Sequence, residues 1–177
     1  MMAAALTLLR CRDTQRELHL FDTFEGMSAP TEVDQTSYHG ADQTSYHGPD
    51  KLSGVELLER LDLSQLILPL EEVRHNLSNI GYPDDRIKLV KGLVEETLPN
   101  KTPGEIALLR LDTDWYESTR HELIHLYPRL AHRGVLIIDD YGHWEGAKKA
   151  VDEYIRDNDL PILLNRIDYT GRIAIKL

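Results

Sequence analysis

Three short apolar runs in this chain each end in aspartate, and no other feature restricts its fold so tightly. The runs are Glu17-Leu-His-Leu-Phe-Asp22, Glu105-Ile-Ala-Leu-Leu-Arg-Leu-Asp112 and Gly134-Val-Leu-Ile-Ile-Asp-Asp140. Their length and branched residues predict buried strands. Arg86-Ile-Lys-Leu-Val90 alternates and predicts another. Helical patterns fall between them, over 2–12, Gly54–Arg60, Leu70–Ile80, Val94–Leu98, Tyr116–Leu130 and Trp144–Asn158, with Pro128 weakening the last turn of the fifth. Strands alternating with helices predict an α/β fold on a mostly parallel sheet with right-handed crossovers. The run from Gly134 is the most apolar, which predicts a central strand covered on both faces. Ile162–Tyr169 and Arg172–Leu177, joined at Thr170-Gly171, predict a C-terminal antiparallel hairpin.

In open α/β sheets, ligands bind outside the carboxyl ends of the strands. The strand ends here carry Asp22, Asp112 and the pair Asp139–Asp140. Three carboxylates delivered to one edge by two adjacent strands repel unless a cation, a basic residue or a proton intervenes. Hard oxygen donors in that number suit Mg²⁺, which keeps waters or takes substrate hydroxyls at its other positions. The plainer alternative is that strand-end aspartates are helix caps or turn formers. For Asp114 an N-cap role is favoured; for Asp112, Asp139 and Asp140 together a shared metal is favoured. His143 is expected to be a solvent-exposed loop histidine, Trp115 and Trp144 to wall a pocket or simply to pack, and Lys148 and Lys149 to sit on a solvated helix face.

Composition narrows the function. The 177 residues suit one domain with one core, 41% hydrophobic and 28% charged, as in ordinary soluble proteins. The net charge of -10 excludes a protein that tracks nucleic-acid phosphates. No apolar run is long enough to span a bilayer. The apolar start, Met1–Arg10, reads as a helix rather than a signal peptide, because basic residues follow it and no small-residue cleavage site closes it. A single cysteine, Cys11, excludes an internal disulfide and a thiolate metal cluster, and predicts a cytoplasmic setting. Residues 26–50 are polar and predict a long loop. Inside it Asp34-Gln-Thr-Ser-Tyr-His-Gly40 recurs as Asp42-Gln-Thr-Ser-Tyr-His-Gly48, a local duplication rather than a repeat architecture.

Four blocks carry a resemblance. Leu20-Phe-Asp-Thr-Phe-Glu-Gly-Met27, Val90-Lys-Gly-Leu-Val-Glu-Glu-Thr-Leu-Pro99, Leu109-Arg-Leu-Asp-Thr-Asp-Trp-Tyr-Glu-Ser-Thr119 and Gly134-Val-Leu-Ile-Ile-Asp-Asp-Tyr-Gly142 resemble, in the right order, the macrocin O-methyltransferases, which methylate sugar hydroxyls on natural products. The resemblance implies a Rossmann-like class I methyltransferase domain over 1–177, with a seven-stranded sheet and the C-terminal hairpin. It implies S-adenosylmethionine as methyl donor, with Asp22 at the cofactor ribose and Gly92 and Leu93 along the adenine. It implies Mg²⁺ held by Asp112, Asp139 and Asp140, with Asp112 the candidate base, and a small hydroxyl acceptor, sugar or diol, near the 26–50 loop. The family places a strand and a glycine-rich turn ahead of the position of Met1, so the sheet is expected to lack its first strand.

Two other readings follow from the same residues. One is a non-catalytic, incomplete domain that binds or forms homo-oligomers through an exposed sheet edge. The other is a receiver-type phosphoryl-transfer domain. The late position of the acid pair, and the want of a lysine closing a late strand at that edge, count against the latter.

Overall fold

The computed structural model describes residues 1–37, 52–60 and 67–177, so all of the second heptad copy and the end of the first lie outside the described residues. The chain divides into two compact units, Met1–Met27 with Leu63–Thr97, and Ser28–Asp62 with Leu98–Leu177.

The first unit is built on a parallel pair. Strands β1 (Leu18–Asp22) and β2 (Ile87–Lys91) run in register from Leu18↔Ile87 to Asp22↔Lys91. Helix α1 (Met2–Arg10) buries Ala5 against Leu18 and Tyr82, with Leu8, Leu9, Leu20, Ile80 and Ile87 packed around them. The Tyr82 hydroxyl donates to the Arg16 carbonyl at 2.7 Å, which satisfies the one polar atom of a side chain 2% exposed. Helix α1 stops two residues sooner than its pattern predicts. Arg12 takes a left-handed φ of 57°, and the amides of Arg12 and Asp13 turn back to the Leu9 and Leu8 carbonyls. Helix α3 (Leu70–Ser78) and the single turn α4 (Val94–Thr97) complete the unit.

The second unit holds a four-stranded sheet in the order β3-β4-β6-β5. Strands β3 (Ile106–Leu111) and β4 (Leu130–Ile138) are parallel, and β6 (Arg172–Ile175) runs antiparallel to both β4 and β5 (Asn165–Arg166). Parallel pairing in each unit and the antiparallel C-terminal strands agree with the expected sheet. Among the described residues the six strands fall into two sheets rather than one.

Helices α5 (Tyr116–Leu126) and α6 (Glu145–Asp157) pack on each other. The contact face of α6 is Gly146, Ala147, Ala150 and Val151, small side chains at helical spacing that let the backbones approach. Helix α2 (Gly54–Arg60) brings Leu57 onto Leu52, Trp115, Trp144 and Ala147. No helix among the described residues is long and apolar enough to cross a membrane.

Three expectations need correction. Helix α5 ends at Leu126 rather than 130; Tyr127–Arg129 tighten into a 3-10 turn around Pro128, and Leu130 already belongs to β4. Lys176 fastens this corner, its ammonium donating to the carbonyls of Tyr127, Pro128 and Leu130. The first arm of the hairpin is only Asn165–Arg166, because β6 is itself short; Leu163 is left 75% exposed. Strand β4 is interior, as expected, but among the described residues its two faces are unequally covered. Leu136 and Ile138 are buried with Leu109, Leu111 and Ala174, while Leu108 and Ile175 on the opposite face are 51% and 55% exposed.

Candidate functional site

Strands β3 and β4 run in parallel, so their carboxyl ends lie side by side and the residues that leave them meet. The Asp139 amide donates to the Leu111 carbonyl at 3.0 Å, which carries the ladder one step past the last paired residues. Asp112 follows Leu111, and Asp139 and Asp140 follow Ile138. One carboxylate oxygen from each of Asp112, Asp139 and Asp140 lies within 4.8 Å of the other two. The convergence expected of these three aspartates is present.

A fourth acid joins them. Asp114 has a left-handed φ of 64°, and its Oδ1 accepts the Trp144 indole N–H at 2.8 Å. It is not the cap of α5. Trp115 occupies that position without capping by its side chain, and the Tyr116 amide is instead taken by Asp34, from a segment 82 residues away. Asp34 is fully buried. Its Oδ2 accepts the Thr31 amide at 2.7 Å and the Thr31 hydroxyl at 2.8 Å, and its Oδ1 accepts the Tyr116 amide at 2.8 Å. The first heptad copy thus supplies a distant helix cap. The same segment bridges to Trp144 through Thr36, and the Ser37 amide donates to the His143 carbonyl at 2.7 Å.

Trp115 and Trp144 are packing residues, each 2% exposed, edge to face at 4.7 Å between ring centroids. His143 is half-buried rather than exposed, edge-on to Trp144 at 4.9 Å and Tyr169 at 6.0 Å. Lys148 and Lys149 are exposed, as expected.

The electrostatics of the acids are those of a crowded site. Burial pushes the Asp140 carboxyl up to about 9, helped by the charges of Asp114, Asp112 and Asp139. Burial pushes Asp112 up to about 7, with a hydrogen bond to Asp139 in the same direction and Arg110 opposing. Asp114 is raised too, chiefly by burial. At neutral pH Asp140 therefore holds a proton and donates it to Asp114.

The cation already present is Arg110. Its Nη1 meets Asp112 Oδ2 at 2.5 Å and its Nη2 meets Asp139 Oδ2 at 3.0 Å. Burial works against its charge, but Asp112 and Asp139 outweigh that and hold the guanidinium protonated. A proton and a guanidinium thus stand where a small hard cation fits. The donor set, all carboxylate oxygens, is that of a Mg²⁺ or Mn²⁺ site rather than a zinc or thiolate one.

These shifts fix a pH dependence. Asp112 and Asp140 hold protons in the folded chain well above the ordinary aspartate range near 3.9. Between about pH 4 and 9 the folded state binds more protons on them than the unfolded state, so stability falls as pH rises through that window and levels off above it. His125, whose charged form burial disfavours, contributes the opposite slope near its own range. The interval from pH 7 to 9 is the clean one. Scanning calorimetry should give a lower Tm at pH 9 than at pH 7, and Asp140→Asn should flatten that slope; an unchanged slope in the variant would contradict the assignment.

The other predicted residues lie in the first unit, again at adjacent parallel strand ends. The Gly92 amide donates to the Asp22 carbonyl at 3.0 Å, just past the Asp22↔Lys91 pair. Asp22 is exposed at the end of β1, and its Oδ1 accepts the Phe24 amide at 2.6 Å. Gly92 has φ +134° and a Cβ there would crowd the Thr97 methyl at 3.1 Å, so only glycine fits comfortably. Leu93 follows, half-buried, at the entry to α4. Sequence reasoning did not single out Arg110 or Asp34. Arg110 was readable in principle, because residues two apart on a strand share a face and it precedes Asp112 by two.

Comparison with known proteins adds the following. Residues 1–175 match the family model described as Macrocin-O-methyltransferase (TylF). The chain is 36% identical over 159 residues to 8-demethyl-8-(2,3-dimethoxy-alpha-L-rhamnosyl)-tetracenomycin-C 4'-O-methyltransferase of Streptomyces olivaceus, covering 90% of this chain and 54% of that protein. It is 33% identical over 165 residues to demethyldecarbamoylnovobiocin O-methyltransferase of Streptomyces niveus, covering 93% and 57%. Among solved structures, the O-methyltransferase NovP superposes with a TM-score of 0.76 at 31% identity, over 99% of this chain and 66% of NovP. The chain spans about half the length of these curated relatives.

Proposed function

The chain belongs to the macrocin O-methyltransferase family, and on that premise we propose that it takes part in transferring a methyl group from S-adenosylmethionine to a sugar hydroxyl of a natural product, with Mg²⁺ held by Asp112, Asp139 and Asp140. The observation that carries the reading is the meeting of these three carboxylates at the ends of two parallel strands. The relatives' names support the acceptor class: one is named for a rhamnosyl-bearing substrate.

A sugar hydroxyl holds its proton too tightly to attack a methyl sulfonium unaided. Mg²⁺, when bound, supplies the Lewis acidity that lowers that pKa and fixes the oxygen, and S-adenosylmethionine supplies the methyl. The work of the chain is then to hold charge and to move one proton. Asp139 and Asp140 would hold the ion, Asp140 giving up its proton as the ion enters. Asp112, the most exposed of the three, would accept the hydroxyl proton as the O–C bond forms and the C–S bond breaks. Asp22 offers a carboxylate to the ribose hydroxyls, and Gly92 and Leu93 present open backbone and an apolar side chain to the adenine. A vicinal diol would suit the site with a cation bound, since it would offer that cation two oxygens.

The test is transfer of labelled methyl from S-adenosylmethionine to a panel of rhamnosylated acceptors in the presence of Mg²⁺. Asp112→Asn should lower turnover by about 10²–10⁴-fold. Turnover within twofold of the parent chain would rule out Asp112 as the base.

A further inference from the structure

Arg110 and Asp112 lie two residues apart on β3 and so on one face of the sheet, while Asp139 arrives from β4. The two prongs of the guanidinium reach one oxygen on each, at 2.5 and 3.0 Å, and so tie together two strands at the point where their carboxylates would otherwise repel. Those two carboxylates are also two of the three that converge on a common point. A small octahedral cation binds carboxylate oxygens at about 2.0–2.1 Å and tolerates little distortion. The guanidinium occupies Oδ2 of both carboxylates and so restricts how they turn, and its charge repels a second cation drawn to the same pair. The guanidinium and the metal are therefore rivals for Asp112 and Asp139.

The surroundings allow the exchange. The Arg110 side chain is 44% exposed, and it stands on the less covered face of the sheet, the one that carries half-exposed Leu108. It can leave by rotating about its own stem, without unpacking the buried layer of Leu109, Leu111, Leu136 and Ile138 beneath.

We propose that Arg110 is a built-in counter-cation, which holds Asp112 and Asp139 together while the site lacks a metal and is displaced when a divalent ion enters. It is a positioning residue that sets the metal affinity. The inference rests on the reading of the three aspartates as a metal site.

The test compares the parent chain with Arg110→Gln and Arg110→Lys by calorimetric titration with Mg²⁺, and by thermal unfolding with and without saturating Mg²⁺. Arg110→Gln should bind Mg²⁺ about tenfold more tightly. Its metal-free Tm should fall, and its Tm in saturating Mg²⁺ should match the parent. A residue with a merely structural role would lower both. Arg110→Lys keeps the charge but loses the fork, so it should also bind more tightly than the parent, to a smaller degree. It keeps the question open to a result should the glutamine variant fail to fold. Affinity in Arg110→Lys equal to the parent's would show that the charge rather than the fork competes with the ion and would support a displaced counter-cation; weaker binding in Arg110→Gln would overturn it. If the parent and both variants show no Mg²⁺ binding and no Mg²⁺-dependent Tm, the metal-site reading itself falls; Mg²⁺ binding by the parent with no gain in the variants leaves that reading standing and removes only the role of Arg110.

Discussion

Asp140→Asn is expected to stabilise the metal-free chain and to disable it as a metal-binding protein. In the folded state the Asp140 carboxyl, pushed up to about 9, is buried among the charges of Asp114, Asp112 and Asp139. An amide fills the same space and can still donate to Asp114, without a proton to lose as pH rises. Relief of that crowding should be worth on the order of 1 kcal/mol at pH 8, about 2–4 °C in Tm for a chain of this size. Mg²⁺ affinity should fall at the same time by about 10–100-fold, since one of three anionic donors has become neutral. Scanning calorimetry and Mg²⁺ titration on one preparation check both halves. A Tm that falls, or an affinity that does not, would contradict the place given to Asp140.

Gly146→Ala should destabilise the second unit by about 2–4 kcal/mol, although alanine is favoured over glycine in helices by about 1 kcal/mol. Helix propensity is outweighed by what the new methyl meets. A Cβ on Gly146 would lie 1.9 Å from Asp34 Oδ1 and 3.1 Å from the Tyr116 amide. Asp34 is not a flexible neighbour that steps aside, because three hydrogen bonds hold it and it is fully buried. Moving it leaves the Tyr116 amide and the Thr31 donors without their acceptor, and separates α6 from the start of α5. The expected fall in Tm is about 6–12 °C. A Tm equal to or above the parent's would mean that the cap is dispensable.

The two residues also mark how far the chain could be read before its structure. Asp139 and Asp140 were legible because a β-strand announces its own end: the apolar run Val135–Ile138 stops, and parallel topology says where that end points. The same logic located Asp112 and, in the first unit, Asp22 beside Gly92. Arg110 carried a weaker version of the signal, a charge in an apolar run at the right parity, which reads equally well as a residue on a solvated face. Asp34 carried none. Its partner amide is 82 residues away, and its segment looks like any polar loop. Asp114 was misread for the same reason, since the cap it was expected to provide comes from Asp34. The unequal burial of β4 escaped the sequence because hydrophobicity tells which side chains could be buried and not how far they are covered.

The boundaries failed where local and tertiary preferences part. Tyr116–Leu130 keeps a helical period, but Pro128 and the grip of Lys176 on the carbonyls before β4 turn the chain four residues early. The arm Ile162–Tyr169 has strand composition, yet β6 offers it only the Ile173 and Arg172 pairings.

Titration calorimetry of the purified chain with Mg²⁺, repeated with S-adenosylmethionine present, bears most directly on the acid cluster as a metal site in a methyl-transfer protein. One Mg²⁺ per chain, with an affinity that rises from pH 7 to 9 as Asp112 and Asp140 give up their protons, is the expected result. No binding of Mg²⁺ at either pH, or binding that Asp140→Asn leaves untouched, would contradict it.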